Sequence, residues 1–154
     1  MLPLDALLPD PGHLACDQLH ITPNLITVGL RSISPVASCP VCGRPSKRVH
    51  SRYRRTLADL PWRGQPVRLV LEVRKFFCDS TACPRRIFAE RLTRVAGVYA
   101  RNTLGLDAAV EAIAFACGGE GGSRLAARLA MPASPDTLLR RIRRACPPVS
   151  TPLR

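Results

Sequence analysis

Histidine is scarce in this 154-residue chain, with three, and only 11 acidic residues stand against 23 Lys plus Arg. No stretch approaches the roughly 20 consecutive apolar residues that span a bilayer. The N-terminus, MLPLDALLPDPGH, has no early basic residue and no unbroken apolar run, because Pro3, Asp5, Pro9, Asp10 and Pro11 interrupt it. It does not read as a signal peptide, and the sequence predicts a soluble, cytoplasmic protein without a membrane partner. No internal repeat is present. Fifteen prolines argue against a single long helical bundle. Together these features exclude a membrane channel, a coiled coil and a large multidomain enzyme.

What the chain does have is a modest core, with 46% hydrophobic residues, and a lopsided charge of +12. The length suits one ordinary domain or two small ones. The charge is unevenly spread: residues 1–38 are net −2, residues 39–100 net +10 and residues 101–154 net +4. There are seven cysteines, an odd number that would leave one over in a full disulfide framework. In a cytosolic chain, cysteines favour metal binding or catalysis over disulfides.

Four cysteines carry the strongest pattern. Cys39-Pro40-Val41-Cys42-Gly43 is a Cys-x-x-Cys pair whose glycine suits a tight knuckle, and Cys78 and Cys83 form a second pair around the turn-forming Asp79-Ser80-Thr81-Ala82. Two such pairs joined by strand-like sequence suit one structural zinc ion, since four thiolates complete a tetrahedron without further ligands. Two alternatives stand beside this. The cysteines are buried and inert, although a knuckle bordered by Pro40 and Gly43 makes a poor core strand. Or Cys39 and Cys42 are a redox pair, which requires a helix N-terminus after Cys39 that Pro40 and Gly43 do not supply. His50 reads as a surface or backbone-bonding residue, Cys117 as core, and Cys16 and Cys146 have no partner at ligand spacing.

Periodicity divides the rest. His20 to Ile33 reads as two short strands turning at Pro23-Asn24, and a turn is expected at Gly64-Gln65-Pro66. From there the period is two: Val67, Leu69, Leu71 and Val73 face one way and Arg68, Glu72 and Arg74 the other, as in a half-buried strand. Trp62 reads as a packing anchor rather than a base-stacking platform. The period then lengthens. Leu106, Ala109, Val110, Ile113 and Cys117 mark a helix that Gly118-Gly119 ends, with Gly121-Gly122 extending the break. Ser123 to Ala130 is a second, short helix with Leu125, Ala126 and Leu129 apolar. Ser134, Pro135 and Asp136 are the N-cap, first position and first-turn acid of a third, whose buried stripe is Leu138, Leu139 and Ile142.

Helix, glycine break, short helix, tight turn and capped basic helix follow the order of a helix-turn-helix. On that reading the last helix offers Ser134, Asp136, Thr137, Arg140 and Arg141 to bases, with Arg143 and Arg144 able to reach phosphates and Arg124 and Arg128 holding the backbone. The alternative is a small helical bundle with solvated arginines. The basic loop Arg44 to Arg55, with Arg44, Lys47, Arg48, Arg52, Arg54 and Arg55 around Tyr53, adds a second candidate phosphate-binding surface. The predicted fold is α+β: an N-terminal segment with short strands over 1–38, a small antiparallel zinc ribbon over 39–92, a helix-turn-helix segment over 101–146 and a tail or linker over 147–154.

Several of these stretches, in order, resemble the N-terminal part of ISL-type bacterial insertion-sequence transposases. They are Tyr53-Arg54-Arg55-Thr56-Leu57-Ala58-Asp59-Leu60-Pro61-Trp62, Arg74-Lys75-Phe76-Phe77-Cys78, Cys83-Pro84-Arg85-Arg86-Ile87-Phe88-Ala89-Glu90-Arg91, and Gly118 to Arg144 with its Ser134-Pro135-Asp136-Thr137-Leu138-Leu139-Arg140. The resemblance spans about residues 15–146. It implies that Cys39, Cys42, Cys78 and Cys83 hold zinc and that the helix-turn-helix binds the element's terminal inverted repeats in double-stranded DNA. It also implies a following catalytic domain of ribonuclease-H type, with three carboxylates around divalent metals, where this sequence stops. Asp136 is its last acidic residue and no nucleophile–base pair is evident, so the expectation is a truncated, DNA-binding part with no chemistry of its own. Other transposase copies are possible partners, and the expected location is the bacterial cytoplasm, at the nucleoid. A stand-alone repressor or transposition inhibitor, an enzyme completed in trans by another copy, and a zinc-stabilised protein-interaction module are the rival functions.

Overall fold

The structure is a computed structural model that describes residues 8–145. The expectations for Cys146 and for the 147–154 tail lie outside the described residues. The elements are β1 (Leu14–Thr22), β2 (Leu25–Ser32), β3 (Ala37–Ser38), β4 (Pro45–Ser46), β5 (Val49–Trp62), β6 (Gln65–Phe77), β7 (Ile87–Ala89), α1 (Leu104–Arg128) and α2 (Pro135–Ala145). The class is α+β, with strands first and helices last.

The predicted hairpin at Pro23-Asn24 is present. Thr22 pairs with Leu25 across a two-residue turn, and the Thr22 hydroxyl accepts from the Leu25 amide at 3.1 Å and donates to its carbonyl at 2.9 Å. β5 and β6 form a long hairpin whose turn lies at Arg63-Gly64, one residue before the expected place. Both residues have positive φ, 51° and 78°, as a two-residue turn between right-twisted strands requires. The basic stretch from Arg44 is not the single loop expected: β5 takes up everything from Val49 onward, and so also Leu57 to Trp62.

β6 is the central strand, with β5 antiparallel on one side and β2 parallel on the other, and β7 pairing antiparallel near its end. The sheet is therefore mixed rather than purely antiparallel. The β2–β6 connection runs through the first knuckle and all of β5, which is ample length for a parallel crossover. Val67, Leu69, Leu71 and Val73 are buried, as their alternation predicts, with Ile26, Val28 and Leu30 of β2 beside them. Leu8, Val95 and Ala96 cover this face, and Trp62 packs against it.

A buried contact joins the sheet to the helices. Thr103 caps α1, accepting from the Leu106 amide at 3.2 Å, and its hydroxyl donates to the buried Asp59 carboxylate of β5 at 2.6 Å. Backbone bonds from the Ala58 amide to the Arg101 carbonyl (2.8 Å) and from the Thr103 amide to the Ala58 carbonyl (2.9 Å) fasten the same junction.

α1 is interrupted where the glycines predict, but more narrowly. Gly118 alone leaves helical geometry (φ 67°, ψ −158°), and the helix resumes at once, so Gly121 and Gly122 are helical rather than part of the break. The reason is space as much as conformation: a Cβ on Gly122 would sit 2.8 Å from Leu138 Cδ1, so this glycine lets α1 and α2 approach closely. α1 ends in a Schellman turn. Ala130 takes the left-handed position (φ 58°), and the Met131 amide reaches back to the Ala126 carbonyl at 2.9 Å.

Leu106, Val110, Ala114 and Leu138 form the helical core, with Met131, Ala133 and Ile142 against it. Four apolar assignments change. Cys117 is exposed rather than core, and Leu125, Leu129 and Leu139 are more than a third exposed. Ala126 and Leu138 fill the interhelical space, and Leu139 lies at its edge over Gly119, where a Cβ would sit 3.1 Å from Leu139 Cγ. No helix among the described residues is long and apolar enough to cross a membrane.

Candidate metal centre and basic surfaces

Each cysteine pair is presented by its own knuckle. The first is a small hairpin in which β3 pairs with β4, the Cys39 amide bonds the Arg44 carbonyl at 2.9 Å, and the Gly43 amide bonds the Cys39 carbonyl at 2.9 Å. Gly43 sits at φ 72°, in the left-handed region that this reversal needs and that glycine adopts without strain. The second knuckle follows β6 directly: the Cys78 amide bonds the Arg86 carbonyl at 2.8 Å, and the Cys83 amide bonds the Ser80 carbonyl at 3.2 Å.

The two knuckles bring all four sulfurs within 4.8 Å of one another. Cys39 Sγ and Cys83 Sγ are 3.9 Å apart, and Cys42 Sγ and Cys78 Sγ 3.6 Å. A disulfide has sulfurs about 2.0 Å apart, so none is formed. A tetrahedral zinc with bonds of about 2.3 Å sets its thiolates about 3.8 Å apart, which matches both pairs. The donor set thus fits one structural zinc ion: four soft ligands, three of them buried, and no further group needed to complete the shell. His50 is not among them. It is exposed, bonds Ser51 Oγ at 2.9 Å and meets the Phe77 ring edge-on at 4.9 Å.

The local chemistry favours a cation. The Cys42 backbone amide, opposed by burial, draws the Cys39 thiol down to about 6. At Cys78 the Ser80 amide also pulls down, but burial and the neighbouring sulfurs outweigh it and push the thiol up to about 12. Cys83 is raised too: the Arg85 amide is outweighed by burial and by Cys42 and Cys39. One sulfur gives up its proton readily while the crowding resists the next, which is the charge problem that a bound divalent cation relieves. Zinc would supply a covalent-strength crosslink between the knuckles.

Beneath the sulfurs lies a small core that the sequence pattern did not disclose. Phe76 and Phe88 stack at 5.9 Å and pack with Cys39, Cys78 and Cys83. Next to it Arg74 and Glu90 form a buried two-pronged pair. The guanidinium reaches Glu90 at 2.6 and 3.2 Å, and also Ser32 Oγ at 3.0 Å and the Ser34 carbonyl at 2.7 Å. Arg74 is 14% exposed and Glu90 4%, so this pair braces the zinc end against the N-terminal strands.

The basic residues singled out from the sequence divide into two sets. Several are engaged internally. Arg48 pairs with Asp79 at 2.9 Å and lies over Phe77, and Arg52 pairs with Glu72 at 3.2 Å. Arg55 points to the core side and ties the carbonyls of Gly97 and Ala100. Arg141 is held by Asp107 at the start of α1, and the half-buried Thr137 is tied to the Ser134 hydroxyl, which accepts its amide at 3.2 Å and lies 2.9 Å from its hydroxyl. Others stand in solvent without an ion pair among the described residues: Arg44 and Lys47 at the first knuckle, Arg54 on β5, Arg124 and Arg128 on α1, and Arg140 and Arg144 with Arg143 on α2. Asp136, Arg140, Arg143 and Arg144 share one exposed face of α2, the face opposite Leu138. Two exposed arginines missed by motif reasoning, Arg68 and Arg101, face the cleft between sheet and helices.

Residues 35–84 match the family described as the zinc-finger of transposase IS204/IS1001/IS1096/IS1165. The matched segment holds all four clustered cysteines, so this part of the chain is similar to the zinc finger of ISL-type transposases. A zinc finger of this kind is a non-catalytic part of a transposase and indicates a transposase-related DNA-binding role. No curated protein and no solved structure matches the chain.

Proposed function

We propose that this chain binds double-stranded DNA at the terminal inverted repeats of an insertion sequence, as the zinc-finger and helix-turn-helix part of a transposase. The observation that carries the proposal is the transposase zinc-finger match over the same four cysteines that the fold gathers into one site. Zinc fixes the knuckles and the sheet end, and the sheet in turn holds α1 through Asp59 and Thr103.

The helix-turn-helix assignment rests on how α2 is presented. The left-handed Ala130 reverses the chain within a few residues, Ser134 caps α2, and Leu138 seats it against α1 where Gly122 leaves room. That leaves Asp136, Arg140, Arg143 and Arg144 outward on a short rigid helix, suited to a major groove. On this reading Arg140 reads a base edge, where a guanidinium forks onto guanine. Arg124, Arg128, Arg143 and Arg144 then hold phosphates, with Arg44, Lys47 and Arg54 on the sheet side, all of them exposed. Arg55 and Arg141 position backbone and helix rather than touch DNA.

The test is a titration of the zinc-loaded protein with an insertion-sequence terminal repeat and with a scrambled duplex at physiological salt. Preference for the repeat by about a thousandfold, the lower end of specific recognition, is the expected result. Equal, weak binding to both duplexes would overturn the reading, because any chain of charge +12 attaches to phosphate without reading sequence.

A further inference from the structure

Between the sheet and the helical end lies a cleft of about 620 Å³. Three separate elements send an arginine to it: Arg68 from β6, Arg101 from the connection into α1, and Arg141 from α2. Asn102 and Thr137 add neutral polar groups to its lining. The one carboxylate lining it, Asp59, is buried and already receives the Thr103 hydroxyl. The lining is thus net positive, and Arg68 and Arg101 are the two guanidiniums in it that no carboxylate pairs among the described residues. Arg141 is partly committed to Asp107, yet its buried Nε has no acceptor among the described residues. Arg68 and Arg101 are exposed and make no ion pair among the described residues. They flank Ala58, whose small side chain leaves the floor open: Arg68 is its partner across the β5–β6 ladder, and the Arg101 carbonyl accepts its amide.

We propose that this cleft seats the phosphodiester backbone of the duplex that α2 reads, with Arg68 and Arg101 as phosphate contacts from the sheet side. This rests on the DNA-binding reading above and adds to it a second, sequence-independent grip. Guanidinium forks match phosphate oxygens, and contacts of this kind fix a protein's register on DNA without choosing its sequence. The cleft's far wall is the first turn of α2, so a backbone lying in it runs beside the exposed face that bears Arg140. Arg141 acts as a positioning residue, holding that wall to α1.

The experiment compares the full zinc-loaded chain with the double variant Arg68→Ala/Arg101→Ala, on terminal-repeat and scrambled duplexes, over a range of salt. A control double variant, Arg91→Ala/Arg94→Ala, removes the same charge beside a different cavity, next to Asp10 and His13. Circular-dichroism melting checks that both variants fold. Each lost phosphate contact lowers the steepness of log K against log salt by about 0.9. The expected result is a slope smaller by about 2 for Arg68→Ala/Arg101→Ala on both duplexes, with their affinity ratio kept and the control slope little changed. An unchanged slope overturns the proposal, and is also what a cleft serving free phosphate or a nucleotide would give. Equal slope losses in both variants overturn it as well, since the effect is then net charge alone. Should the unsubstituted chain fail to discriminate the two duplexes, the terminal-repeat reading falls, while the slope still reports on the cleft.

Discussion

Arg74 on the central strand and Arg140 on the last helix are used in opposite ways. Arg74 is 14% exposed, spends its guanidinium on Glu90, Ser32 and Ser34, and lies over the Phe76 ring. Arg140 stands on the outer face of α2 with no ion pair among the described residues. In partners, though not in burial, Arg48, Arg52 and Arg55 differ likewise from Arg124, Arg128 and Arg144, Arg48 and Arg52 making exposed surface pairs. At the sheet and zinc end several arginines hold the structure together. At the helical end, Arg141 excepted, they stand exposed and make no ion pair among the described residues. A basic composition alone does not reveal this division, and it sorts the outcome of substitutions into losses of fold and losses of binding.

The largest expected effect is at the sulfurs. Replacing Cys78 by Ser, or removing metal with a chelator, should abolish the one-zinc stoichiometry seen by elemental analysis. It should also cost on the order of 10 kcal/mol of metal-linked folding energy, unravelling the knuckles. Retention of bound zinc in Cys78→Ser would contradict the four-cysteine site. Next comes the buried pair: Glu90→Ala leaves the Arg74 charge without its carboxylate, with only Ser32 and Ser34 to answer it, and should cost about 3–5 kcal/mol in urea unfolding. A change below about 1 kcal/mol would mean that the pair behaves as a surface bridge.

Leu138→Ala should cost about 2–5 kcal/mol by opening a cavity between α1 and α2, while leaving zinc stoichiometry intact. Loss of zinc in that variant would show that the two ends are not separable as described. Ala130→Gly relieves a left-handed alanine and should raise stability by about 1 kcal/mol. A lower melting temperature would show that the turn is not the one seen.

Much of the site was legible in the sequence because metal ligands announce themselves by spacing. Cys39, Cys42, Cys78 and Cys83 need only two knuckles to converge, and each knuckle carries its own turn residues. The β6 alternation and the Ser134-Pro135-Asp136 start of α2 are equally local signals, and the structure keeps both. What escaped depends on residues far apart in sequence. Nothing near Arg74 discloses Glu90, 16 residues on, and nothing near Asp59 discloses Thr103, 44 residues on. The parallel pairing of β2 with β6 is invisible for the same reason. Cys117 shows the opposite failure: helical periodicity placed it inward, but with Ala126 and Leu138 filling the interhelical space its side of α1 stays exposed.

The central claim is that α2 reads DNA from a platform set by the zinc-bearing sheet. The most direct measurement is selection from a random duplex library by the zinc-loaded chain, beside Arg140→Ala, which should leave stability within about 0.5 kcal/mol of the original. The account predicts that the original chain enriches one defined motif and that Arg140→Ala enriches the same motif with one position relaxed, a loss of about 1–3 kcal/mol of discrimination there. Enrichment of no motif by the original chain, or an identical motif from both, would contradict it.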